Sequence, residues 1–252
     1  MFLPSWFMEF ATTHQNLLWF LTITADLSVT LLLYRLFGKT GLYTSVILGI
    51  MLSNLQGPKL TMIFGMHTSL GTIIYSGIYF ATDLLSERYG RREAQRAVLL
   101  GFATSVILVV MMSVSLLFVP APSSRSVHDA MVSIFGFTPR FVFGSLFAYL
   151  ISQSFDVWVF HYLKRKTKGR HLWLRNNVST LASQAVDTVL YSLVVWWGVV
   201  QLKMAIHLGL AKYLFKFVIA LFDTPFIYWA RSWNVADKDW YEPFKKDYYK
   251  DF

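Results

Sequence analysis

Stretches of about 20 largely apolar residues alternate with short polar loops along this 252-residue chain, the pattern of a polypeptide that crosses a bilayer repeatedly. It predicts seven helical spans, over roughly 17–36, 41–56, 68–87, 97–119, 140–163, 177–200 and 207–230. The second is short and runs into Asn54, Gln56, Gly57 and Pro58, so it either ends inside the bilayer or breaks there. Six full spans plus one partial helix is the alternative count. The fold class expected is an all-α integral membrane protein, a bundle of six to seven transmembrane helices.

Three regions follow from this pattern. Residues 1–16, with Phe2, Trp6, Phe7 and Phe10, read as an outer interfacial segment. They have no basic n-region and no small-residue cleavage site, so a cleavable signal peptide is not expected. Residues 17–230 form the membrane domain, and 231–252 a cytoplasmic tail. The long loop after the fourth span opens with Pro120-Ala121-Pro122 and offers a short amphipathic helix over Ser126 to Phe137.

The distribution of Lys and Arg sets the expected orientation. They gather in every second loop: Arg35 and Lys39; Arg88, Arg91, Arg92 and Arg96; then Lys164, Arg165, Lys166, Lys168, Arg170 and Arg175. The tail adds Arg231, Lys238, Lys245, Lys246 and Lys250, whereas the opposite side holds only Lys59, Arg125, Arg140 and Lys203. Basic loops stay cytoplasmic, so the N-terminus is expected outside and the C-terminus inside, with seven crossings between them. The net charge of +9 is explained by those loops and gives no reason to expect nucleic acid. Composition agrees: the chain is 55% hydrophobic and only 15% charged, against roughly 25% charged in soluble domains. With no cysteine, disulfides and thiolate metal sites are ruled out.

Ionisable residues at membrane depth are costly and mark function or a specific partner. Here they are Asp26, Asp83, Glu87, Asp156, Asp187, Lys212, Lys216 and Asp223. Most lie in stripes at helical spacing: Thr72, Ser76, Tyr79, Asp83 and Glu87; Ser145, Tyr149, Ser152, Gln153 and Asp156; Thr180, Gln184, Asp187 and Tyr191; Lys212, Lys216 and Asp223. Four helices with one polar face each imply a shared polar interior. A Ser-Gln-x-x-Asp motif recurs in it, at Ser152-Gln153-x-x-Asp156 and Ser183-Gln184-x-x-Asp187. The two acids lie roughly 12 and 18 Å from the basic loop between the helices, so both can face one cavity. The plainer reading is two helices gripping each other through amide hydrogen bonds. Asp26, alone in its span, needs no more than a neighbouring Ser or Thr.

Amides and carboxylates beside aromatic rings suit a planar, nitrogen-rich solute, because a carboxylate can accept two N–H bonds from the edge of a guanine-like base. Lys216 is placed to balance the acids, either against the solute or in an ion pair. In the turn from Asp83 to Arg92, Gly90 can supply the left-handed conformation after a helix, and Glu87 has Arg91 and Arg92 as candidate partners. A similar acidic–Gly–basic turn occurs in the major facilitator superfamily, as convergence on one structural need.

Ala81-Thr82-Asp83-Leu84-Leu85-Ser86-Glu87-Arg88-Tyr89-Gly90-Arg91-Arg92-Glu93-Ala94 resembles the signature of the queuosine precursor transporters, also called the vitamin uptake transporter family. The stretch Asn54 to Lys59, the stretch Pro139-Arg140 through Asp156, and Leu172 to Thr180 followed by Ser183-Gln184-x-x-Asp187-Thr188 are similar to it as well. The likeness runs in order over roughly 40–230. It implies a bacterial inner-membrane importer of 7-deazaguanine precursors such as 7-cyano-7-deazaguanine, with a fold related to the substrate-binding subunits of energy-coupling-factor transporters. Those subunits dock on partners through Ala-x-x-x-Ala spacing. The first span offers only Ala25, which favours action without a partner ATPase, and a homo-oligomer is left open.

The substrate contacts expected are Asn54, Gln153, Gln184 and Asp187, followed by Asp83, Asp156 and Lys216. No cofactor, metal site or catalytic residue is expected, since the six His have no HExxH-type spacing. A transporter of the same fold for a vitamin or another purine is the alternative.

Overall fold

The computed structural model describes residues 4–136, 139–196, 202–233 and 235. The expected tail from 236 to 252, with Lys238, Lys245, Lys246 and Lys250, and the span end at 197–200 lie outside them. So do the side chains of Arg140, Lys203 and Lys212.

A short helix without buried residues, α1 (Ser5–Thr13), leads into α2 (Gln15–Gln56). At Gly38 the backbone takes φ 58° and ψ −132°, which glycine tolerates and a residue with a Cβ does not. The chain doubles back there. A Cβ on Gly41 would overlap the Leu33 carbonyl, and the Thr30 and Ser45 hydroxyls share a 2.6 Å hydrogen bond across the two limbs. The limbs correspond to the stretches 17–36 and 41–56 read from the sequence.

The chain after Gln56 is not helical. Strands β1 (Leu60–Ile63) and β2 (Met66–Ser69) pair antiparallel, with Leu60 opposite Ser69 and Ile63 opposite Met66. The helix expected from residue 68 therefore starts only at Gly71. The hairpin turn has positive φ at both central residues, Phe64 (49°) and Gly65 (74°), as a type I′ turn needs. Phenylalanine rarely adopts this conformation. Phe64 is held by its N–H, which donates to Asn16 Oδ1 at 2.8 Å, and by ring contacts to Trp19 and Phe20.

The rest is helical: α3 (Gly71–Arg88), α4 (Arg91–Ser115), α5 (Arg125–Phe135), α6 (Pro139–Lys166), α7 (Leu172–Tyr191) and α8 (Leu202–Arg231). A single π-helical turn, Ser192–Trp196, continues α7. Gly90, at φ 90° and ψ 176°, turns the chain between α3 and α4 in an extended glycine conformation rather than the left-handed helical one expected. The amphipathic loop helix is α5, and none of its residues is buried.

Side-chain contacts show that the helices alternate in direction. Asp26 meets Gly77 and Tyr34 meets Arg88, so the first limb of α2 runs parallel to α3. A Cβ on Gly49 would touch Ile78, and one on Gly71 would touch the Ser53 carbonyl, so the second limb runs antiparallel to α3. Helix α3 is the centre of the bundle. Every residue from Gly71 to Ser86 except Tyr75 is buried. Around it, α2, α4 and the Tyr213–Arg231 part of α8 are long and apolar enough to cross a membrane. The outer face of α4, with Leu99, Ile107, Val110 and Met111 more than half exposed, has the apolar surface that lipid requires.

Two polar anchors fix α3. Asp26 enters a gap left by the missing side chain of Gly77 and accepts bonds from the Gly77 N–H (2.8 Å) and the Ser76 hydroxyl (3.1 Å). A Cβ at Gly77 would lie 2.5 Å from the carboxylate. At the C-terminal end of α3, Glu87 binds Lys164 of α6 (2.9 Å), the fully buried Arg175 of α7 (2.5 Å) and Arg231 of α8 (3.3 Å). Its partners are therefore not Arg91 and Arg92. Those lie across the Gly90 turn on exposed positions of α4, whereas three other helices bring cations to the carboxylate. On the periphery, the Tyr43 hydroxyl donates to Glu93 at 2.6 Å, and Arg96 (2.7 Å) and Lys39 (3.4 Å) pair with the same carboxylate.

Gly77→Ala is expected to lower the midpoint of thermal unfolding in detergent, at a cost of about 1–3 kcal/mol from overpacking. An unchanged midpoint would mean that Asp26 does not fix the α2–α3 approach. Glu87→Gln leaves Arg175 buried without a counter-charge and should cost more, about 3–5 kcal/mol. Differential scanning fluorimetry of the two variants side by side tests that order.

Candidate binding cavity

The faces of α3, α7 and α8 that meet at the centre are set by four-residue spacing, which places side chains in register along a helix. On α3 the series is Tyr75, Tyr79, Asp83, Glu87. On α7, running the other way, two series adjoin: Arg175, Ser179, Ser183, Asp187, and Asn176, Thr180, Gln184. Steps of about 6 Å therefore stack the polar groups in three layers.

The layer nearest the start of α3 contains a cavity. Its walls are Thr72, Tyr75, Ser76 and Tyr79 from α3, Thr180 and Gln184 from α7, and Lys216, Ile219, Ala220 and Asp223 from α8. The space between these walls, open solvent at its mouth included, is about 260 Å³. The side chains close in on it, so a ring-sized ligand enters only as they move apart. Lys216 donates to Asp187 at 2.9 Å and lies 5.6 Å from the centre of the Tyr75 ring. Gln184 is 1% exposed, and neither atom of its amide makes a hydrogen bond. The Tyr79 hydroxyl lies beside it and beside Ser152. The amide faces the cavity with the Tyr79 hydroxyl within hydrogen-bonding reach, so it keeps a donor and an acceptor that a ligand can use.

The next layer is acidic. Asp83 accepts a long bond from Thr180 (3.4 Å) and adjoins Asp156, which accepts from Ser183 at 2.9 Å. Asp223 accepts from Asn176 at 2.9 Å. All are fully or almost fully buried. The third layer is the Glu87 ion-pair cluster.

The structure thus brings together most of the residues singled out from sequence, in different positions. Gln184 and Lys216 line the cavity, and Asp187 holds Lys216. Asp83 and Asp156 are not among the lining residues and form the layer behind. Gln153 is fully buried with both amide atoms unpartnered, outside the lining. Asn54 is half-buried on the second limb of α2 and donates to the Ile50 carbonyl at 2.9 Å; it is not among the lining residues. Asp26 bonds Ser76, the plain role expected of it.

Three residues escaped the sequence reading. Tyr75 lies between the periodic positions, Arg175 counts among the basic loop residues, and Asn176 enters only within the Leu172 to Thr180 stretch. The four-residue spacing of Arg175 with Ser179, Ser183 and Asp187 is the signal that places it on the inner face of α7. Among the described residues no group of three or more His, Asp or Glu is arranged to hold a metal ion.

The comparisons agree with a membrane role. Residues 69–230 match the family described as "Putative vitamin uptake transporter". The chain is 39% identical over 225 residues, 89% of its length and 98% of the relative's, to the "Probable queuosine precursor transporter" of Bacillus subtilis. It is 30% identical over 163 residues, 63% of its length and 70% of the relative's, to the "Queuosine precursor transporter" of Escherichia coli. No solved structure matches the chain at a significant level. With its long apolar helices, the protein is a multi-pass membrane protein of a transporter family, not an enzyme.

If Lys216 and Asp187 stabilise each other, Lys216→Met should cost about 3–5 kcal/mol, and the double variant Lys216→Met/Asp187→Asn should recover much of that loss. A double-mutant cycle on thermal unfolding that shows simple additivity would disprove the pairing.

Proposed function

The chain belongs to the vitamin uptake transporter family, and from that premise we propose that it imports a 7-deazaguanine precursor of queuosine, such as 7-cyano-7-deazaguanine. The observation that carries the proposal is the unpartnered Gln184 amide in a small cavity walled by Tyr75 and Tyr79. A lactam edge offers an N–H and a C=O side by side. A Gln amide meets that edge with two hydrogen bonds, as it does adenine. The tyrosine faces suit the ring plane, and Lys216, positioned by Asp187, suits an electronegative substituent. The names of the two relatives support the same substrate class.

In this reading the two limbs of α2 and helices α3, α4, α6, α7 and α8 make seven crossings. The Glu87 end faces the cytoplasm of a bacterial inner membrane, because the basic loops lie there. Residues 17–230 are the transporter domain, with 1–16 an outer interfacial segment and 231–252 the tail. The protein acts without a partner ATPase, and its relation to energy-coupling-factor binding subunits is one of fold.

The test is complementation of a bacterium that cannot make 7-cyano-7-deazaguanine and lacks its own importer. Queuosine in tRNA is read by boronate-gel mobility at low precursor supply, and restoration is expected. Absence of queuosine, with the protein confirmed in the membrane, would contradict the reading. Gln184→Leu and Asp187→Asn should each reduce uptake at least tenfold at normal expression, the loss of about 1.5–3 kcal/mol of polar contact. Normal uptake by both variants would remove the amide and its neighbouring ion pair from recognition. Competition by unlabelled purines but not by vitamins would separate this substrate class from the alternative.

A further inference from the structure

The acidic layer behind the cavity has no counter-ion among the described residues. Asp83 and Asp156 are 0% exposed and Asp223 1%. The groups acting on them are one another, Asn176 and the hydroxyls of Ser179, Thr180 and Ser183. The neighbouring cations are engaged elsewhere: Lys216 with Asp187, and Lys164, Arg175 and Arg231 with Glu87. Among the described residues, the other helices packed on α3 bring no positive charge to this layer. From α2 comes Asp26, bound to Ser76 and Gly77. From α4 comes Glu93, taken by Tyr43, Lys39 and Arg96. His161 of α6 lies at the Glu87 end, near Lys164 and Arg91.

The cluster is also short of hydrogens. Asp83 Oδ1, Asp156 Oδ2 and Asn176 Oδ1 are buried acceptors without a donor. Asp83 and Asp156 approach within hydrogen-bonding reach, and two carboxyl groups share such a bond only with a proton between them. A metal ion would need several carboxylates converging on one point, and the described residues provide no such group. A proton needs no more than this pair.

Independently, the unpartnered Gln184 amide opens into the cavity that Asp223 and Thr180 wall from the acidic side. The ligand site and the acidic pair thus share Thr180, which lines one and donates to Asp83 in the other. We propose that transport through this cavity is coupled to protons, and that the coupling proton is carried on the Asp83–Asp156 pair. The O–H bond forms with a proton from the outer solution while the cavity is open outward. It breaks to water on the cytoplasmic side after the Glu87 cluster has opened. No electron or other group is transferred.

This inference rests on the importer reading, and the experiment separates the two. The full-length protein is reconstituted in phospholipid vesicles with labelled 7-cyano-7-deazaguanine as probe and with the voltage clamped by potassium and valinomycin. Exchange of labelled for unlabelled base without a gradient reports import alone. With the outside one pH unit more acidic, a driving force of about 1.4 kcal/mol, one proton per base gives up to about tenfold accumulation. Adding the base should also acidify trapped pyranine.

Asp83→Asn and Asp156→Asn are expected to keep exchange and lose both accumulation and acidification. Two variants guard against misfolding of either, and exchange certifies each one. Wild-type exchange that proceeds without accumulation or acidification would overturn the coupling and leave the importer reading intact. Accumulation by both variants at the wild-type level would overturn the assignment to this pair. Absence of wild-type exchange would overturn the importer reading and the coupling together.

Discussion

The structure depends on one carboxylate. Glu87 ends the central helix α3 and engages cations from α6, α7 and α8, so four helices close on a single point. Arg175 illustrates what this achieves. A guanidinium that is 0% exposed is tolerable only when its charge is answered, and here that is so although its Nε–H finds no acceptor. Glu87 answers the charge, the Gly169 and Arg170 carbonyls take its Nη1 donor, and the Phe160 ring lies 5.5 Å away. Lys164 also donates to the Ser86 and Glu87 carbonyls at the end of α3, where a helix leaves acceptors unfilled. Nearby, Arg88 ties Tyr34 of α2 to the Trp233 carbonyl beyond α8. With that end fixed, the registers of α3, α7 and α8 are fixed too, and the cavity two layers away follows from them.

Much of this was legible in the chain because two independent signals agreed. Charge in alternate loops gave the direction of each helix, and the observed contacts, Asp26 with Gly77 and Gly49 with Ile78, alternate in the same sense. Polar residues at helical spacing gave the inner faces. Asp83, Asp156, Gln184, Asp187 and Lys216 are all buried where the stripes place them. The amphipathic segment over 126–137 emerged as α5.

The reading was poorer where local backbone or distant partners decided. The β-hairpin after Gln56 falls between the expected second and third spans, where the sequence carries no clear strand signal, and the third span was expected to begin two residues inside its second strand. Its turn is Phe64-Gly65, without the Asn or Asp that marks such turns. Asn54 carries the right chemistry for a ligand, but satisfies itself on the Ile50 carbonyl. Arg175 sits in a run of basic residues, and its burial is set by Glu87, 88 positions away in sequence. Loop composition holds no trace of that pairing.

The division of labour among the helices has a consequence for biogenesis. Over the described residues, the segments apolar enough to partition into a bilayer unaided are in α2, α4 and α8. The cavity is walled by α3, α7 and α8, and the buried acids, amides and Arg175 of α3, α6 and α7 each oppose insertion when they meet lipid alone. A polar helix enters the membrane at tolerable cost when a neighbour already offers it partners. The chain order supplies such neighbours: α3 emerges between α2 and α4, and α7 is followed directly by α8. Each polar helix therefore has an apolar neighbour in the chain, and α8 combines both characters, carrying Lys216 and Asp223 on one face of an otherwise apolar span.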